Sequence, residues 1–417
     1  MATVVVVGGG FAGLSAAVRI AKLRHDVTVL ESRDQLGGQL RGITHDGLTW
    51  QDHAEAVTLP GVFRDLFRKS GRPLDRVLPL TKIAGRRHIF KDRTVLDLPL
   101  GNRGDQAQAL TAAFGEDKWS AWVDTYADVW DALRRVALDR TFTGRDDFSN
   151  AQWKTLRARR PIAKVTLRDI TDERLVKLIL DPIRMSGDDR RVTPGFLATQ
   201  HYVERNFGLW LFDGGRPALA DALTQRVAER KVTVEFGAHS TGVALENGTV
   251  RGVRIGDRTI DADYVIWAAP TWPTPLPEPR EMRRIPSART YLSLDPDTPG
   301  LSDDMFIHSN PPIRMWTSGP GQWTVEHRGG EDPILAMARC GLDLRKRIIH
   351  RWDQSPVALV TQGHWGWVWQ GWSTAASIPG VNPRGGLYFA GAHAHPGTSL
   401  ELIGMATAAI AEQIGRA

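Results

Sequence analysis

The feature that most constrains this chain is the pattern at its start. Thr3–Val7 is a run of β-branched residues with no charge, as expected of a parallel strand buried on both faces. Gly8-Gly9-Gly10-Phe11-Ala12-Gly13 follows, and Leu14, Ala17, Val18 and Ala21 then recur at helical spacing. A second strand, Asp26–Glu31, closes a βαβ unit and leaves an acid at its carboxyl end. In Gly8-x-Gly10-x-x-Gly13 the first glycine permits a tight turn, the second lets backbone approach a pyrophosphate, and the third lets helix and strand pack closely. The helix N-terminus then faces phosphate charge. Glu31 is spaced to accept hydrogen bonds from a ribose diol. The pattern calls for a dinucleotide on a doubly wound α/β domain.

Length and composition bound the rest. A chain of 417 residues exceeds one core and calls for more than one lobe. Hydrophobic residues at 42% and charged residues at 24% exclude a disordered or fibrous chain. The net charge of +6 is spread over 53 basic residues, which reads as a solvated surface and not as a nucleic-acid footprint; a basic face toward anionic lipid stays open. One cysteine, Cys340, builds no disulfide framework, zinc cluster or CxxC pair. Val4–Val7 is too short for a secretory core, and no run approaches the roughly twenty apolar residues of a membrane span. The expectation is a cytoplasmic protein, with peripheral membrane contact left open and the oligomeric state unknown.

Along the chain, residues 105–140 carry Trp119, Trp122, Trp130 and Leu133 in a helical pattern, and 61–190 read as a mostly helical insertion. Sheet patterns return near Gly214: a helix over 217–228, a strand over 232–236, turns at Asn247-Gly248 and Gly256-Asp257 bracketing Thr249–Ile255, and a buried strand over 263–269. Residues 287–370 suggest antiparallel strands, in which Trp365, Trp367 and Trp369 alternate and share one face. A strand over 386–391 and a small-residue helix, Leu400–Ile414, close the pattern. The expected division is a discontinuous dinucleotide domain, 1–60, 195–275 and 375–417, and a second domain, 61–194 and 276–374.

Arg33 and Leu36-Gly37-Gly38 follow Glu31 closely. This E-x-R-x-x-x-G-G arrangement resembles the FAD-binding family that includes phytoene desaturases and flavin amine oxidases. Asp46-Gly47-Leu48, residues 58–67, and Phe212-Asp213-Gly214-Gly215 with the helix after it are similar to further segments of that family. So is the closing block, Leu387-Tyr388-Phe389-Ala390-Gly391 with His393-Ala394-His395-Pro396-Gly397. The resemblance implies a Rossmann-type, glutathione-reductase-like FAD domain carrying an inserted mixed α+β substrate domain. It implies cofactor contacts from Gly8, Gly10, Phe11, Ala12, Gly13, Glu31, Ser32 and Arg33, then from Gly37, Gly38 and Gln39. It adds Ser240 near the adenine, Ala268, Gly391 and Ala392, with Leu400, Glu401 and Leu402 at the flavin edge. Where the family usually has a basic residue after its glycine pair, this chain has Gln39 and then Arg41, so the phosphate is met by Arg41 or by backbone alone. Where the family often has Asp-x-Gly, this chain reads Asp52-His53-Ala54.

FAD carries the redox chemistry, and no second GxGxxG offers a nicotinamide domain. The expected activity is therefore dehydrogenation of a hydrophobic small molecule, such as a polyene, an isoprenoid or a lipophilic secondary metabolite. Trp316, Trp365, Trp367 and Trp369 are candidates to line its cavity, and His393 and His395 are candidates for acid–base work. Alternatives are C–N oxidation of an amine, against which Thr398 and Ser399 stand where amine oxidases place an aromatic, and a non-redox binding protein on the same fold. No nucleophile triad, metal cluster or obligatory acid–base pair is legible.

Overall fold

The computed structural model describes residues 1–54, 56–138, 142–279, 282–378, 380 and 385–417. A five-stranded parallel sheet runs in the order Leu387–Phe389, Tyr264–Trp267, Thr3–Val7, Asp26–Glu31, Thr233–Phe236. The opening strand is thus flanked on both sides, Val4 registering with Tyr264 and with Val27. Alternation sends its side chains to opposite faces. Val4 and Val6 pack with Leu14, Val18, Phe63, Leu223 and Ile410 under the helices Phe11–Lys22, Pro60–Ser70, Gly215–Glu229 and Leu400–Ile414. Val5 and Val7 pack with Val243, Val253, Trp267 and Phe389 beneath the antiparallel strands Ser240–Glu246, Thr249–Ile255 and Arg258–Asp261. Cover on both faces is why the strand carries no charge.

The first and last blocks of the pattern meet directly. Phe11–Lys22 lies against Leu400–Ile414, with Ser15 Oγ 3.2 Å from Thr407 Oγ1. Ala406, Ala409 and Ala411 are buried on the second helix, and their small side chains permit the close approach.

A second sheet has seven strands in the order Ile348–Gln354, Ala288–Leu294, Gln322–His327, Ile313–Gly319, Asp304–His308, Gly85–Phe90, Val95–Pro99. Asp304–His308 and Gly85–Phe90 pair in parallel, and the other neighbours are antiparallel. Helices between residues 103 and 207 pack around a separate core that includes Trp119, Trp122, Val123, Leu178 and Ile179. Among the described residues no helix is long and apolar enough to cross a membrane.

Two sequence expectations are refined and one is corrected. Segment 61–190 is mostly helical, but its Gly85–Phe90 and Val95–Pro99 hairpin completes the second sheet and Leu80–Lys82 pairs with Trp210–Phe212. The long helical pattern over 105–140 breaks into Arg103–Phe114, Trp119–Asp124 and Ala127–Leu133, then a π-helical turn, Arg134–Leu138; its last two residues lie outside the described ones. Finally, Trp365, Trp367 and Trp369 do not share a strand face. They sit on irregular chain whose one bridge joins Trp367 to Arg283.

Candidate active site

One cavity of about 890 Å³ opens at the carboxyl ends of the parallel strands, where ligands bind in open α/β sheets. Its volume lies in the range of small-molecule and cofactor sites. At one end the wall is mostly backbone. Gly13 brings the first helix so near its strand that a Cβ there would collide with the Gly8 carbonyl oxygen. Gly38 has φ +53°, a left-handed conformation, and the place of its missing Cβ is 3.1 Å from Gly10 Cα. The two glycine turns lie edge to edge, the Gly37 N–H donating to Gly9 O at 2.8 Å. Nothing stands within 4 Å of where a Gly10 Cβ would be, so backbone there opens on the cavity. This cradle, facing a helix N-terminus, fits a diphosphate.

Glu31 is buried beside the cradle. Its carboxylate accepts the Gly9 N–H at 2.6 Å and the Arg33 N–H at 2.9 Å, and it lines the cavity. Ser32, Arg33 and Gln39 line the wall while exposed, so this end is open to solvent. Phe11, Ala12, Ala268, Gly391 and Ala392 also line it, as do Leu400, Glu401 and Leu402 at the start of the last helix. Ser399 Oγ caps that helix, accepting the Leu402 N–H at 3.4 Å, and Glu401 accepts from the Thr58 N–H and hydroxyl. The residues present fit FAD, whose flavin supplies hydride and electron acceptance when bound.

Three of the residues expected at the cofactor stand off the cavity wall. Gly13 acts through packing. Arg41 is turned to Leu36 O at 2.9 Å and to Asp221 Oδ1 at 2.5 Å. Ser240 lies behind Ala238, whose N–H donates to Glu31 O at 3.0 Å. With Arg41 turned away, the phosphate end of the wall presents backbone, not a cation from that arginine.

Trp316, Trp365 and Trp369 line the cavity, and Trp367 does not. The Trp367 indole N–H donates to His393 O at 2.6 Å and that of Trp365 to Pro270 O at 2.8 Å. His393 and His395 both line the cavity. Burial pushes each down to about 4, against hydrogen bonds to the Trp267 and Ala137 backbone carbonyls that push up, so both are neutral near pH 7. His395 Nε2 lies 3.0 Å from Ala137 O and its ring stacks on Phe142, while His393 Nε2 is buried and, among the described residues, has no partner.

Away from the cofactor end the wall divides. The helical lobe supplies aromatic rings, with Trp153 against Trp372 at 4.7 Å and Phe196 against Trp369 at 5.7 Å. The second sheet supplies paired charges. Arg86 meets Asp304 at 3.0 Å and Glu204 at 3.2 Å, Arg314 meets Asp304 at 3.0 Å, and Arg289 meets Glu326 at 2.9 Å. Burial acts to push the Asp304 carboxyl up, but Arg314 and Arg86 hold it at about 2. Arg328 donates to Met185 O and Ile285 O and, among the described residues, has no carboxylate within ion-pair distance.

Between the cofactor end and this wall lies a group that sequence reasoning missed. Asp52 Oδ2 is 2.9 Å from His364 Nε2, and its Oδ1 accepts the Tyr291 hydroxyl at 2.6 Å. His53 stacks on His364 at 5.3 Å, and its Nε2 is 3.2 Å from Gln39 Oε1. Asp52 is fixed because it follows the Ile43–His45 and Leu48–Trp50 hairpin and because Trp316 and Thr324 both donate to Gln51 O. Asp52, His53 and His364 converge within 4.8 Å. The guanidinium of Arg289, 3.6 Å from Asp52, and the nearby charge of Arg216 oppose a metal dication there. The one signal in the sequence was Asp52-His53 at the position of the family's Asp-x-Gly.

The comparisons agree with this geometry. The model of the family described as flavin containing amine oxidoreductase matches residues 11–292. The chain is 25% identical to a 4,4'-diapolycopene oxygenase of Methylomonas sp over 371 residues, 82% of this chain and 72% of that one. It is 29% identical to the hydroxyneurosporene desaturase of Cereibacter sphaeroides over 63% of this chain, spanning 55% of that relative's length. Among solved structures, putrescine oxidase bound to putrescine superposes with a TM-score of 0.70 at 15% identity, over 99% of this chain and 98% of that one, a likeness of fold. The chain is an FAD-dependent member of the flavin containing amine oxidoreductase family, on its phytoene desaturase-like branch.

Proposed function

We propose that the protein dehydrogenates a largely apolar small molecule, of the polyene or isoprenoid class, by hydride transfer to FAD. The observation that carries this is the continuity of one cavity from the glycine cradle to the aromatic wall of Phe142, Phe148, Trp153 and Trp372. Such a wall desolvates an apolar body and holds it against the flavin. The names of the desaturase relatives support the same reading. In it, 1–60, 195–275 and 375–417 hold the cofactor, and 61–194 with 276–374 hold the substrate. Arg284, Arg314 and Arg328 on the facing wall suit a polar or anionic end group on that apolar body.

Amine oxidation is the second reading, and the fold of putrescine oxidase favours it. The arginines weigh against it, because Arg328, which among the described residues has no carboxylate within ion-pair distance, repels an ammonium group. The test is anaerobic bleaching of the bound flavin by a panel of polyenes, isoprenoids and amines. Bleaching by an apolar compound and not by amines is expected. Bleaching by amines alone would overturn the proposal.

A further inference from the structure

The described residues hold two buried aspartate–histidine arrangements, and they differ in access. Asp181 Oδ2 lies 2.9 Å from His308 Nδ1, and His308 Nε2 lies 3.0 Å from His88 Nδ1. That relay is sealed between the rings of Phe90 and Phe306, and none of its members lines the cavity. In the second, Asp52 stands behind and His364 lines the cavity.

We propose that Asp52 and His364 form the proton acceptor of the site: His364 Nδ1 takes up the proton that accompanies flavin reduction, and Asp52 holds the resulting imidazolium. With Nε2 2.9 Å from Asp52 Oδ2 and the imidazole proton assigned there, Nδ1 is the basic nitrogen, and among the described residues it has no hydrogen-bond partner. In a desaturation one carbon loses hydride, both electrons of that bond leaving for the flavin. The adjacent carbon loses a proton to His364 Nδ1, and the electrons of that second C–H bond become the new C=C bond.

The surroundings select His364 over its neighbours. Asp52 is buried, which acts to raise its pKa, yet the hydrogen bond from His364 and the positive charge of Arg289 hold it far below the usual carboxylate range. It is therefore a standing negative charge. Tyr291 is pushed well up, first by burial and then by Asp52, so its hydroxyl keeps its one proton and donates it to Asp52, with Gln354 Oε1 3.2 Å away. Arg289 is shared with Glu326, which leaves Asp52 with charge to give. His53 is held far below its ordinary value by burial, with His364, Arg216 and Arg289 adding to it against Asp52. Of two stacked imidazoles, only His364 has a carboxylate at hydrogen-bond distance. His364 is itself positioned by its backbone N–H on Leu359 O at 3.0 Å and is followed by the cavity residue Trp365. On the other side, His53 meets Gln39, the neighbour of Gly38 in the cofactor turn.

This inference rests on the flavin and not on the substrate, so failure of the desaturase reading leaves it standing. The test therefore needs no substrate. The midpoint potential of the flavin in the FAD-loaded protein is measured spectroelectrochemically between about pH 6 and 9, which counts protons taken up per flavin reduced. The wild type is expected to take up two, one on the flavin and one on His364. H364Q, with its flavin absorbance retained, is expected to take up one, D52N to fall toward one, and H53Q to stay at two. H364N replaces H364Q should the longer amide disturb flavin retention, and Tyr291→Phe replaces D52N should that variant not fold. Two protons in H364Q, or an equal loss in H53Q, would overturn the proposal.

Discussion

The two ends of the cavity are built from different materials. The cofactor end is backbone, two glycine turns and a helix N-terminus with one carboxylate, Glu31, tying them together. The wall from the second sheet is side chain, with Arg86, Arg289 and Arg314 bound to Asp304, Glu204 and Glu326. A backbone site tolerates no added atom, whereas a paired-charge wall tolerates no lost partner.

The harshest break in that contrast is Gly13→Val. Without room beside Gly8 O, the first helix cannot dock on its strand, and we expect no flavin-loaded protein. Yellow purified protein would refute the close approach. Arg86→Leu comes next. It leaves Asp304 and Glu204 short of a buried cation, at about 3–5 kcal/mol of stability by urea unfolding. A loss below about 1 kcal/mol would mean the wall is solvated. Glu31→Ala removes the acceptor of the Gly9 and Arg33 N–H groups beside the glycine cradle, about 1.5–3 kcal/mol, so FAD should bind roughly ten- to a hundredfold more weakly by fluorescence titration.

A fourth prediction concerns pH. His395 is held at about 4 in the folded chain and returns to about 6.5 when unfolded, so the unfolded state binds more protons between those values. Its contribution is intact above about pH 6.5 and is lost as pH falls toward 4. H395Q should therefore lose about 2 kcal/mol less than wild type between pH 7 and pH 5, read from paired urea titrations. Parallel pH profiles would count against a neutral buried imidazole. The mildest change is Arg41→Ala, whose exposed pair with Asp221 is worth under about 1 kcal/mol. FAD affinity should stay within about twofold, and a larger drop would return Arg41 to the phosphate.

How much of this was legible follows from the same contrast. The parallel strands and the glycine cradle could be read because double-sided burial leaves an unbroken apolar run and because glycine marks close approach. The Gly85–Phe90 strand could not. Arg86, Arg87 and His88 look solvated in sequence, and Arg86 is buried only because Asp304 and Glu204 reach it from other segments. The alternating tryptophans misled for a related reason. Their orientations are set by indole bonds to Pro270 and His393, not by a pleat. Asp52 and His364 escaped because the local signal, Asp52-His53, says nothing of a partner distant in sequence that only the tertiary fold brings to it.

The edge strand Leu387–Phe389 has a consequence for how the protein is made. It and the helix Leu400–Ile414 complete the wall begun by Thr3–Val7, and every residue between must be synthesised before they exist. On the ribosome the glycine cradle therefore waits half-built, with the hydrophobic flank of Tyr264–Trp267 uncovered. A flavin held by both halves of that wall is therefore gripped only once Leu400–Ile414 has been made.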